Sequence, residues 1–159
     1  MLLAYLEHSQ TYYRQDGGNL SQEYDHIVSV SRMLRRSIGT ELAKDIGPKR
    51  LKLIRKDMLA KDWGRKYIND QVGRIVRLFR WAASDELIPA SVSDALKTVE
   101  GLRKGRTKAT ESKPVRPVDD PLVEATLPHL PAVVADMVRF QRLTGCRPGK
   151  LHLPPSSGA

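Results

Sequence analysis

The sequence predicts an all-α fold. Three observations lead there. Apolar residues recur at helical spacing through most of the first hundred positions, no alternating strand pattern survives more than a few residues, and glycines and prolines fall where helices would be joined by short connections. The 159 residues allow one compact domain, or a small domain plus part of another, at about 100 to 200 residues per domain.

A first helix is expected over roughly 2–14, ended by the turn signal Asp16-Gly17-Gly18-Asn19. A second runs from Ser21, an N-cap residue type, with Tyr24, Ile27, Val28, Ser31, Leu34 and Ile38 on one side and Gly39 as its stop. The third begins at Gly47-Pro48, since proline suits a first helical turn. It places Leu51, Ile54 and Met58 on one face and Lys49, Lys52 and Lys56 on another. The fourth, about 65–86, is the clearest: Ile68, Val72, Ile75, Phe79 and Ala82 form an apolar stripe that requires a core. Lys66, Arg74, Arg77 and Arg80 fall on the opposite half. Pro89 closes that helix, and a short one capped by Ser91 carries Val92, Leu96 and Val99 to Gly101.

Residues 101–118 lose all apolar period and fill with breakers and cations, which reads as an extended basic linker. A short helix (about 119–127), the punctuation Pro128-His129-Leu130-Pro131 and an apolar helix with Val133, Val134, Met137, Val138 and Phe140 follow, ending at Thr144-Gly145. Residues 119–159 are too few to bury a stable core alone, so they read as the beginning of a larger domain. The expected organisation is a helical domain (1–100), a basic linker (101–118) and an incomplete helical stub (119–159).

Composition narrows the function. No apolar run approaches the roughly 20 residues that span a bilayer, and the opening Met1-Leu2-Leu3 has no basic flank, so neither membrane nor secretory signal is expected. The single cysteine, Cys146, excludes an internal disulfide, and a reducing cytoplasmic setting is the default. His8, His26, His129 and His152 lack ligand spacing, so no metal and no cofactor is expected, and nothing indicates a small-molecule substrate. Charge is more informative: 27 Lys+Arg stand against 18 Asp+Glu, a net +9. Residues 48–80 hold eleven basic and three acidic residues, and 101–118 hold six and one. An excess gathered in two stretches points to a polyanion, and a nucleic acid is the expected partner.

Two stretches carry a resemblance. Tyr67-Ile-Asn69-Asp-Gln-Val-Gly-Arg74-Ile-Val-Arg-Leu-Phe79-Arg-Trp81-Ala-Ala, leaving through Ile88-Pro89, resembles the last long helix of the core-binding domain of tyrosine recombinases, the phage-integrase family. The family exits through Asn-Pro, so Ile88 departs from it. Thr144-Gly145-Cys146-Arg147 resembles the start of that family's catalytic domain, where Thr-Gly-x-Arg carries the first active-site arginine. The likeness covers essentially the whole chain. It implies a four- to five-helix core-binding (SAM-like) bundle gripping one face of duplex DNA, a linker, and the start of a catalytic domain that attacks a phosphodiester with a tyrosine and uses no metal.

Of the family's catalytic groups only the first arginine carries over, onto Arg147; a guanidinium can hold two phosphate oxygens and offset charge developing on phosphorus. Twelve residues follow Arg147, without tyrosine or arginine, and Lys150 stands where the family commonly has an acid. The chain is therefore expected to bind DNA for site-specific recombination or integration, truncated and unable to cut or join strands. Expected contacts are Lys49, Lys52, Lys56, Lys66, Arg74, Arg77, Arg80, Arg103, Lys104 and Arg106 to phosphates, with Asn69 a candidate for base readout. Arg32, Arg35 and Arg36 are secondary. Two other readings stand beside this one: a non-enzymatic DNA- or RNA-binding regulator, and an interaction or dominant-negative remnant that engages other recombinase protomers through Val134, Met137 and Val138.

Overall fold

The computed structural model describes residues 1–15 and 17–147. Among these the fold is all-α, as the periodicity predicts, with no strand beyond two isolated bridges. The helices are α1 (Leu2–Tyr12), α2 (Gln22–Ile38), α3 (Pro48–Ala60), α4 (Arg65–Ser84), α5 (Ala90–Lys97), α6 (Asp120–Thr126) and α7 (Ala132–Thr144), with short 3₁₀ turns at Ala43–Asp45 and Leu127–His129. They divide into two compact units, Met1–Lys113 and a second beginning at Pro114.

In the first unit α4 is the central element and packs against α1, α2, α3 and α5. Its stripe Ile68, Val72, Ile75, Phe79 and Ala82 is buried, joined by Leu78. Around it close Tyr5 from α1, Ile27, Val30 and Leu34 from α2, Leu51, Ile54 and Met58 from α3, and Leu96 from α5. Each large aliphatic side chain so buried contributes about 1.5–3 kcal/mol. The core therefore follows largely from stripes legible at helical spacing; on α2 the structure buries Val30, outside the expected face, and leaves Tyr24 and Val28 of that face half-buried.

The helix ends differ from expectation in instructive ways. Pro48 does open α3. The cap of α5 is Pro89, with extended backbone, and Ser91 lies inside the helix. Gly39 ends α2 in right-handed geometry, so its conformational freedom is not what stops the helix. α4 ends at Ser84, two residues before the expected boundary. There Leu87 N–H donates to Ala82 O (2.9 Å) and Glu86 N–H to Ala83 O (3.2 Å), a Schellman closure. It forces Glu86 to φ +56°, where glycine is the usual residue. Asp62 at φ +55° closes α3 in the same way.

The 101–118 stretch does not run free of the bundle throughout. Through Lys113 it belongs to the first unit, with Ala109 buried and Leu102 packed against the core. Breakers removed its helical period, but buried anchor points hold it in place.

Candidate nucleic-acid interface

α3 exposes a row of cations for a local reason. Leu51, Ile54 and Met58 face the core, which turns Lys49, Lys52 and Lys56 outward together. All three are exposed and hold no ion pair among the described residues. At 1.5 Å per residue the row covers about 10 Å, along which one DNA strand presents roughly three phosphates.

Beside α3 lies the stretch 101–113, hereafter the basic arm. Two anchors fix it. At its start the Asn69 carboxamide grips the Leu102 backbone from both sides: Nδ2 donates to Leu102 O (3.0 Å) and Oδ1 accepts from Leu102 N–H (2.8 Å). At its end Arg65 N–H donates to Thr110 O (3.0 Å), and Thr110 Oγ1 donates to Asp62 Oδ1 (2.7 Å). The Arg65 guanidinium also holds Glu111 through two bonds of 2.5 and 3.2 Å. That guanidinium draws the Glu111 carboxyl below its ordinary range, and the charges of Lys104 and Lys66 add to the effect. Between the anchors a tight turn, closed by Arg106 N–H to Arg103 O (3.2 Å) with Gly105 at φ +73°, presents Arg103, Lys104 and Arg106 to solvent.

α3 and the arm together border an open groove of about 510 Å³, lined by Lys52, Arg55, Thr98, Glu100, Arg103, Arg106 and Thr107. Arg55 was not among the expected contacts. It reaches across to the arm, donating to Glu100 O at 2.6 Å, and so turns its charge toward the groove. Only the charge density of 48–56 hinted at it. Glu100 pairs with Arg103 at 2.9 Å, but both side chains are largely exposed, so the pair is weak and exchangeable.

The α4 face differs from expectation. Arg74 is nearly buried and holds Glu23 of α2 through two bonds, 3.1 and 2.7 Å. Arg77 donates to the same carboxylate at 2.8 Å and to the Tyr13 hydroxyl at 3.2 Å. Glu23 is held below the ordinary carboxylate range chiefly by the Arg74 hydrogen bond. Both arginines therefore join helices, Arg74 nearly buried and Arg77 still partly exposed, and Lys66 and Arg80 stand exposed on α4 with the acidic Asp70 between them. The missing signal was Glu23, which lies fifty residues away in sequence. Asn69 likewise spends its carboxamide on Leu102, which leaves little of it for a base edge. Arg32, Arg35 and Arg36 are exposed on α2.

Trp81 is a packing residue, its ring 5.2 Å from both Tyr5 and His8 of α1. In the second unit Gly145 caps α7 in left-handed geometry (φ +64°), with Gly145 N–H donating to Gln141 O at 2.7 Å. Arg147 follows two residues later, exposed and without an ion pair among the described residues. Cys146 is half-buried. Lys150 and the tail 151–159 lie outside the described residues. No group of three or more His, Cys, Asp or Glu that could hold a metal occurs among the described residues. No helix among them is long and apolar enough to cross a membrane.

Comparison with known proteins finds no matching family model, no matching curated protein and no matching solved structure.

Proposed function

We propose that this chain binds double-stranded DNA, with α3 and the basic arm lying along the phosphate backbone, in a process of site-specific recombination or integration of the tyrosine-recombinase type. The observation that supports the DNA reading is the groove where Lys52 and Arg55 of α3 meet Arg103 and Arg106 of the anchored arm, with Lys49 and Lys56 exposed on the same helix beside it. Of the ten cations expected to meet phosphate, Arg74 and Arg77 are engaged internally, which leaves eight. The recombination reading rests on the order of helical unit, basic stretch and Thr144-Gly145-Cys146-Arg147 in the sequence. All five tyrosines lie at or before Tyr67, so the 159-residue chain is expected to leave supercoiled plasmid uncut and to form no 3′-phosphotyrosyl adduct.

Fluorescence anisotropy with a labelled duplex tests the binding claim. Wild type is expected to bind, and replacement of Lys52, Lys56, Arg103 and Arg106 by alanine is expected to weaken binding by at least about a hundredfold at low salt. Equal affinity for wild type and that variant would remove the groove from the account.

One observation favours a second reading, a surface for protein association. In the second unit Val133, Phe140 and Leu143 of α7 are 72%, 52% and 87% exposed, more so than Val134, Met137 and Val138. Exposed apolar residues on one helix suit a partner. Sedimentation of the chain alone and with an intact recombinase, before and after Phe140→Glu and Leu143→Glu, distinguishes this role from DNA binding.

A further inference from the structure

We infer that Asn69 is the positioning residue of the interface: by clamping Leu102 it holds the arm's cationic turn, Arg103 to Arg106, in register with Lys52 and Arg55. This deepens the DNA-binding reading and rests on it for its consequence, although the clamp itself can be tested without DNA.

The geometry points to Asn69 on three grounds. Its carboxamide satisfies both backbone groups of one arm residue, at 3.0 and 2.8 Å, which fixes the backbone in orientation as well as position. It projects from α4, the most buried and best-packed helix of the unit, so the clamp has a rigid base. The backbone on the arm side approaches closely: a Cβ built on Gly101 would stand 3.3 Å from Asn69 Nδ2. The next arm residues after Leu102 are Arg103 and Lys104. Loss of the clamp removes both short hydrogen bonds to Leu102 and loosens the start of the arm, leaving there the apolar contact of Leu102, a long 3.5 Å bond from Arg65 to Leu102 O and the Arg55 bond to Glu100 O, while Arg65, Asp62 and Glu111 still hold its end. The cationic turn then samples many positions, and binding must bear the cost of ordering it.

The clamp is read first by limited trypsin digestion of the full chain. Asn69→Ala is expected to accelerate cleavage after Arg103, Lys104 and Arg106 at least about tenfold, with helical content and unfolding cooperativity retained. Gly101→Ala crowds the carboxamide without touching the core and is expected to act in the same direction by a smaller factor. Unchanged cleavage in both variants overturns the clamp.

Duplex binding is read second. Asn69→Ala is expected to lower affinity about tenfold and to reduce the salt slope by about two, as loss of two phosphate contacts would. Combined with Arg103→Ala, Lys104→Ala and Arg106→Ala, it should add nothing further, because its effect passes through those side chains. Fully additive losses would show that Asn69 acts elsewhere and overturn the inference. A wild-type chain that ignores DNA while the trypsin result holds would defeat the functional reading and leave the clamp standing.

Discussion

Glu23 shows how one residue redirects a surface. It accepts hydrogen bonds from Arg74 and Arg77, so a helix face that sequence spacing marks as basic has one of its charges offset, and two of its arginines tied down, from across the bundle. Glu23→Gln leaves two partly buried cations without their anion and should cost about 1–2 kcal/mol in urea unfolding. Arg74→Ala should destabilise the fold while leaving duplex affinity within about twofold, the reverse of Lys52→Ala, which anisotropy and unfolding measured together would show. Because Glu23 is held below the ordinary carboxylate value of 4.5, its contribution is present above about pH 4.5 and is lost as pH falls below it. Tyr5 works in the opposite direction. Burial, with Tyr13 close by, pushes its hydroxyl from 10.0 up to about 12. The unfolded chain therefore gives up this proton first, and the stability from keeping Tyr5 neutral is full below pH 10 and declines between pH 10 and 12. In thermal melts across that window wild type should lose stability relative to Tyr5→Phe as pH rises, whichever is the more stable at about pH 9; parallel curves would contradict the assignment.

Among the elements, what could be read from sequence depended on how locally each is determined. The core faces of α2, α3 and α4 were legible because a helical period and apolar side chains suffice to specify them. The position of α5's cap and the end of α4 were not, since both depend on hydrogen bonds made just beyond the helix. Glu86 occupies the left-handed position of a Schellman closure that glycine fills without strain. Glu86→Gly should therefore raise stability by about 0.5–1 kcal/mol, visible as a higher melting temperature. Asp62 bears the same backbone conformation but also accepts the Thr110 hydroxyl, so glycine there should loosen the arm. α3 offers the cleanest functional test at this scale. Replacing Lys49, Lys52 and Lys56 with glutamine preserves the helix and should lower the salt slope of DNA binding by about two to three. The same change at Arg32, Arg35 and Arg36 should matter less, because those residues lie on α2 and not on α3, the helix that borders the groove.

At the scale of the whole molecule, the cations of α3 and those of the arm, some fifty residues apart in sequence, become a single feature through α4, which packs against α3 and clamps the arm through Asn69. The sequence announced the cations of both stretches. It could not announce which of them the fold would consume, because Arg74, Arg77 and Asn69 meet partners 33 to 64 residues away. Nor did the loss of helical period in 101–118 reveal that its first part is docked, since backbone anchors leave no apolar pattern. Arg147, taken from a resemblance, stands exposed in the second unit among the described residues.

The salt dependence of duplex binding by the unmodified chain tests the account most directly. With six to eight phosphates met, log K plotted against log salt concentration should fall with a slope of about −5 to −7, weakening affinity about 10³- to 10⁴-fold between 50 and 200 mM. A slope near zero, or no binding at 50 mM, would contradict the account.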